Sequence, residues 1–158
     1  MSGIGQDRVQ LRWVSAAEGQ IFADYVTELT ELVQKLGPFD PAQFKMELSA
    51  ITTALDSPRL RWLLGIDRQL TTKENVYHEK IDQNEYQELL TTAVEMEYQR
   101  ALILEALKEG PRSVREIAEM TRLPIYTVSL RLGDLEKKGK ADLSSYDGTT
   151  PRFASVAV

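Results

Sequence analysis

The sequence VQLRWVSAAEGQIFADYVTELTELVQKL, residues 9–36, predicts one strand, one turn and one helix. Val9, Leu11 and Trp13 alternate with polar residues, which is typical of a half-buried strand. Apolar residues then recur at helical spacing until Gly37-Pro38 ends the predicted helix. A strand that leads into a helix through a short turn is half of the repeating unit of an α/β sheet, whose strands need neighbours.

The next strand candidates lie near the C-terminus, in what we interpret as a separate module. We therefore expect residues 9–36 to be the last strand and helix of an α/β unit. The other strands of that unit would lie on another polypeptide or in a longer reading frame, or they would have been lost. The alternative is that residues 9–14 form only an extended arm before an all-helical domain.

The run from Arg8 to Gly19, continued by Phe22-Ala23 and Leu36-Gly37-Pro38, resembles the C-terminal end of the delta subunit of methyl-viologen-reducing hydrogenase. That family supplies the iron-sulfur electron-transfer subunit that joins hydrogenases or other dehydrogenases to heterodisulfide-reductase-type complexes. The resemblance favours the strand over the arm. It implies an anaerobic redox complex in which a cysteine-bearing partner completes the sheet, with flavin and iron-sulfur clusters carried by neighbouring subunits.

The absence of cysteine is where the chain departs from that family, whose cluster ligands lie upstream of the matching segment. Thiolates are the usual ligands of iron-sulfur clusters, so we expect no cofactor to be bound by this chain itself. His78 is the only histidine, which excludes an ordinary four-ligand zinc site. Neither a long apolar run nor a signal-peptide pattern is present, and a cytoplasmic location is expected.

The charge is unevenly distributed along the chain. Residues 1–96 carry nine Lys or Arg and fifteen Asp or Glu, whereas residues 97–158 carry ten and nine, so that −6 and +1 give the net charge of −5. An acidic chain is a poor candidate for non-specific nucleic-acid binding.

Helix-start signals within residues 39–95 predict that this region is a helical linker. Asp40-Pro41 and Ser57-Pro58 are good helix starts, and Asp82 with Glu85 resembles a capping box at the start of a long helix. Trp62 lies within this region, and we expect it to pack rather than to form a partner surface.

Residues 96–158 predict a winged helix-turn-helix domain. Ser113 and Glu116 form a capping box, a further helix begins near Ile125, and two short strands flank the turn-forming pair Asp147-Gly148. This order of helices and hairpin resembles that of many bacterial and archaeal transcription regulators. The predicted fold class is thus mostly α, with an N-terminal strand-helix segment over residues 1–38.

The third helix of this module decides between DNA and protein as its partner. A DNA-binding regulator would use Thr127, Ser129 and Arg131, at exposed positions of this helix, and Arg122 in the turn before it. However, Leu130 and Asp134 occupy positions where such regulators place basic side chains, and the module is nearly neutral. We therefore favour a protein-docking module that uses Tyr126 and Leu130, with DNA binding as the alternative.

The sequence offers no catalytic residues. It contains no glycine-rich phosphate loop, nucleophile motif or cysteine, and the carboxylates are scattered. Glu18 follows the predicted strand, where α/β strands face ligands, although complementing the helix dipole is its simpler role. We expect a non-catalytic accessory subunit whose docking residues include Val9, Leu11, Trp13 and Glu18; its oligomeric state is left open.

Overall fold

The structure is a computed structural model that describes residue 4 and residues 6–156. The chain divides into two compact units, Met1–Lys45 and Met46–Val158. The first unit contains a short 3₁₀ helix, Gln6–Arg8, the helix α1, Gly19–Leu36, and a second 3₁₀ turn, Pro41–Phe44. The Gly37 N–H bonds to the carbonyl of Val33, and the φ of Gly37, 69°, ends α1 in the left-handed region that glycine tolerates.

The predicted strand over residues 9–14 is not formed. These residues are extended but have no β partner, and the two-stranded sheet of the described chain lies elsewhere. The physical reason is that a strand exists only as part of a hydrogen-bonded ladder, and no described strand edge adjoins this segment. Within this chain the arrangement is therefore that of the alternative, an extended arm that precedes a helix.

The second unit is built around a long helix. Its helices are α2, Lys45–Leu55, α3, Pro58–Thr72, α4, Gln83–Leu107, α5, Val114–Thr121, and α6, Ile125–Lys137. The predicted starts of α3 at Ser57-Pro58 and of α4 at Asp82 are confirmed. The Asp82 carboxylate accepts hydrogen bonds from the N–H groups of Asn84 and Glu85.

The C-terminal part adds an antiparallel hairpin of β1, Ala141–Asp147, and β2, Thr150–Ser155. Gly148, with a φ of 60°, lies in the predicted turn between them. Arg112 and Phe153 exchange two backbone hydrogen bonds of 2.9 and 2.8 Å, which tie the segment before α5 to β2. The described part of the chain is thus mostly helical, with a small antiparallel sheet in its C-terminal part.

Helix α4 contributes to all three hydrophobic clusters formed by the described residues of the second unit. Its C-terminal half packs with α5, α6 and the start of β1 around Ile103, Ile117 and Val128. Its middle packs against α2, and its earlier turns pack against α3 through Leu60, Leu63 and Ala93. Trp62 lies outside these clusters and is 62% exposed, so the expectation that it packs was wrong. The residues of α3 that pack on α4 are the leucines on either side of Trp62.

The capping box of α5 provides a test of local stability. Both reciprocal hydrogen bonds between Ser113 and Glu116 are present, and Ser113 is buried. We expect Ser113→Ala to lower the free energy of unfolding by about 1 kcal/mol, because it leaves a helix N–H without its acceptor. Urea denaturation measures this change. Ser129→Ala, on the exposed side of α6, is the matched control and should leave stability unchanged or slightly raised; equal losses would contradict the role of the cap.

Candidate functional site

The first unit presents its apolar side chains to solvent. No residue of α1 is buried, and Phe22, Val26 and Val33 are about half exposed. The helices of globular proteins normally cover their apolar stripe against a core. Among the described residues of the first unit, no element buries the apolar stripe of α1.

The extended segment 9–14 has its polar side turned toward the helix. Gln10, Arg12 and Val14 line a shallow groove together with residues of α1. The alternate residues Val9, Leu11 and Trp13 are 82%, 78% and 85% exposed. Because successive side chains of an extended chain point to opposite sides, the more apolar side of the segment lies away from the helix. A segment that packed only on its own helix would be expected to have the opposite orientation.

Two arginines hold the segment alongside α1. The Arg8 guanidinium donates to the carbonyls of Leu36 and Gly37, both at 3.1 Å. The Arg12 guanidinium lies 5.0 Å from the centre of the Tyr25 ring and 3.8 Å from the Glu28 carboxylate. The segment therefore runs antiparallel to α1, with Arg8 at the C-terminal end of the helix. Sequence reasoning treated Arg12 only as a polar residue of the alternating pattern and missed this contact.

Glu18 closes the turn between the segment and α1. Its carboxylate accepts a hydrogen bond of 2.9 Å from the Ser15 N–H, and its own N–H bonds to the Ser15 carbonyl. Glu18 occupies the N-cap position of α1 but makes no side-chain hydrogen bond to the helix. This contact positions the turn, and a role for Glu18 in partner binding stays a prediction.

The second unit carries a separate apolar surface at the start of α6. Tyr126 and Leu130, the predicted partner-binding residues, are exposed one helical turn apart, and Ile125 is exposed beside them. Sequence reasoning did not include Ile125. We name these three residues the α6 surface.

The four residues of the DNA-binding alternative are not equally available. Arg122 and Ser129 are exposed, and Thr127 is partly buried. Arg131, in contrast, was expected to be presented outward, but its side chain is only 13% exposed. Its guanidinium donates hydrogen bonds to Gln99 and to Asp134, both at 2.9 Å. Because these acceptors within the chain already engage the guanidinium, Arg131 is less available to bind a DNA phosphate.

Asp134 joins α6 to α4 through a cluster of charges. It accepts hydrogen bonds from Arg131 and, at 2.6 Å, from Arg100, which also donates to Glu97. Burial disfavours the charged form of Asp134, but the two arginines outweigh it and hold its pKa below the ordinary value of 3.8. The cluster has a cost, because the Arg100 Nε–H is buried without a hydrogen-bond partner in the described chain, a loss of about 1–3 kcal/mol.

Neither a metal site nor a membrane helix is found in the described part of the chain. No group of three or more His, Cys, Asp or Glu side chains is arranged to hold a metal ion there. The helices of residues 6–156 are too short or too polar to cross a bilayer. His78 lies in the loop between α3 and α4, exposed, and contacts Glu74 at 3.3 Å.

The Asp134 cluster predicts a specific pH dependence. We expect Asp134→Asn to lower the free energy of unfolding at neutral pH by about 2–3 kcal/mol, because Arg100 and Arg131 lose their shared carboxylate. Since the folded-state pKa of Asp134 is depressed, the native protein should lose stability as the pH falls from about 5 to below 3.8. Urea denaturation across this range should show a shallower decline for Asp134→Asn. Asp142→Asn, at an exposed position, should leave the decline unchanged; an identical effect of both substitutions would contradict the assignment.

Comparison with known proteins bears on the first unit. Residues 1–37 match the family of the methyl-viologen-reducing hydrogenase delta subunit, FlpD. Over 37 residues the chain is 49% identical to an iron-sulfur subunit of the F420-non-reducing hydrogenase of Archaeoglobus profundus. The aligned segment makes up 23% of this chain and 27% of that protein. The chain thus spans about a quarter of the length of this relative. No solved structure matches the chain. The resemblance stated for the N-terminal segment is confirmed, and it ends at residue 37.

Proposed function

We propose that this protein is a non-catalytic accessory subunit of an iron-sulfur electron-transfer complex of the hydrogenase or heterodisulfide-reductase type. One observation carries the proposal: the residues that match the hydrogenase delta-subunit family are also those whose apolar side is uncovered. On this proposal residues 9–14 add a strand to the sheet edge of a cysteine-bearing subunit. The flavin and the iron-sulfur clusters belong to the partner subunits.

The backbone of the segment supports docking by strand addition. Residues 9–14 are already extended, and Arg8 and Arg12 hold them alongside α1. A pre-ordered strand loses less conformational entropy on binding than a disordered one. Main-chain hydrogen bonds would supply affinity, and the pockets that receive Val9, Leu11 and Trp13 would supply specificity.

We interpret the C-terminal part as a winged-helix module that positions a second subunit. The order of α4, α5, α6 and the hairpin supports this interpretation, as does the Arg112–Phe153 bridge beside the hairpin. The α6 surface would contact that subunit. The internal bonding of Arg131 weighs against the DNA-binding alternative.

The proposal is tested by purifying the tagged chain from its native host under strictly anaerobic conditions. Iron analysis, flavin absorbance and mass spectrometry then identify what accompanies it. We expect iron-sulfur and flavin subunits in fixed proportion to the chain. Recovery of the chain alone and free of iron would contradict the proposal.

Replacement of two exposed side chains tests which surface docks. We expect Leu11→Ser with Trp13→Ser to leave the chain folded but to reduce recovery of the redox subunits at least about thirtyfold, since a buried Trp anchor contributes about 2 kcal/mol or more. Quantitative mass spectrometry against the wild-type purification measures this change.

The matched control is Trp62→Ser with Val76→Ser, which also removes a tryptophan and an aliphatic residue from exposed positions. It should leave recovery unchanged. If both double variants retain the partners equally, residues 9–14 are not the docking element.

A further inference from the structure

A cleft in the second unit has a charge opposite to that of the chain as a whole. It has a volume of 690 Å³ and lies among the α2–α3 turn, α4 and the C-terminal end of α6. Its polar lining consists chiefly of four basic and two acidic residues, a net charge of +2: Arg59, Arg100, Lys138, Lys140, Asp56 and Glu97. The chain carries −5. The cleft is therefore a local cationic site on an acidic protein.

Three of these cations converge on one carboxylate oxygen. Arg100 donates a hydrogen bond to Oε1 of Glu97. The Arg59 Nη1 and Lys138 Nζ atoms lie 3.7 and 3.8 Å from the same oxygen, beyond hydrogen-bond range. One carboxylate does not satisfy three cations, and both Arg59 and Lys138 are half-exposed and retain donors for a further acceptor.

The second acidic residue of the cleft adds little compensation. Asp56 is paired with Arg61 at 2.5 Å, and Arg61 lies outside the lining. Arg100 is itself balanced by Glu97 and Asp134. The positive charge available to a ligand therefore comes from Arg59, Lys138 and Lys140.

We propose that this cleft binds a small organic dianion, a phosphomonoester or a dicarboxylate, that carries an apolar body. The charge of such a ligand matches the net +2 of the lining, and guanidinium and ammonium groups bind these anions with charge-assisted hydrogen bonds. Ala54, Pro58, Ala101, Leu104 and Leu135 supply the apolar wall. The volume is within the range of small-molecule sites.

A small ligand is favoured over a nucleic acid because the lining has a net positive charge, whereas residues 46–158 as a whole carry fifteen Lys or Arg against eighteen Asp or Glu, −3. A polyanion that extended beyond the cleft would meet the net negative charge of the rest of the second unit. The inference concerns residues of the second unit alone. It does not depend on the docking function proposed for residues 9–14.

Calorimetric titration of the full chain tests the proposal. The probes are phenyl phosphate and phthalate, with phenol as the uncharged control and inorganic phosphate as the control without an apolar body. We expect one or both of the organic dianions to bind with a Kd below roughly 1 mM, and the two controls to bind at least tenfold more weakly. The probe that binds distinguishes a phosphomonoester from a dicarboxylate.

Two double variants, each of which removes two positive charges, distinguish binding by the cleft residues from a general effect of the net charge of the protein. Arg59→Gln with Lys138→Gln should weaken binding of the dianion at least tenfold. Arg68→Gln on α3 with Lys137→Gln, the last residue of α6 and next to Lys138, lies outside the lining and should leave binding unchanged. Thermal unfolding verifies that both variants are folded. No binding of either organic dianion at roughly millimolar concentration, or an equal loss in both variants, would overturn the proposal.

Discussion

The exposed apolar side of residues 9–36 is the constraint that governs this protein. Helix α1 is 18 residues long, has a clear apolar stripe and buries none of its residues. Helices of this kind gain most of their stability from packing of that stripe rather than from intrinsic propensity. The segment beside it places Gln10 and Arg12 toward the helix and the larger apolar residues outward. Both features are accounted for if a partner covers the first unit.

The second unit follows a different principle, because it buries its own core. Helix α4 contributes to each hydrophobic cluster in the described part of this unit, and it packs against α2 and α3 as well as the C-terminal helices and hairpin. The pairing of Arg100 on α4 with Asp134 on α6 fixes these two helices by charge as well as by packing. This unit therefore has a packed core of its own, and it carries the α6 surface and the cationic cleft.

Helix boundaries were predictable from the sequence because their signals are local. Gly37-Pro38, Ser57-Pro58, Asp82 and the pair Ser113 and Glu116 each mark the end or start of a helix by their own backbone and capping chemistry. The strand over residues 9–14 was predicted from alternation alone, but a strand requires a neighbouring edge that alternation does not provide.

The charge contacts could not be predicted for a related reason. Arg100 and Asp134 are 34 positions apart, and Arg59 and Glu97 are 38 apart, so only the packing of helices brings them together. Arg131 was expected to be presented outward because its position on α6 suited DNA contact, whereas Gln99 on α4 and Asp134 draw it inward. Trp62 was expected to pack in the core, but it is exposed, because Leu60 and Leu63 form the buried side of α3.

Hydrogen exchange of the backbone amides of residues 9–14 tests the central claim most directly. Mass spectrometry would compare the chain alone with the chain in the anaerobically purified complex. The amides should exchange rapidly in the free chain, because no ladder protects them, and should become protected in the complex by at least about a hundredfold. Residues 74–78, in the exposed loop between α3 and α4, provide the internal reference and should not change. Equal and rapid exchange of residues 9–14 in both samples would contradict docking through this segment.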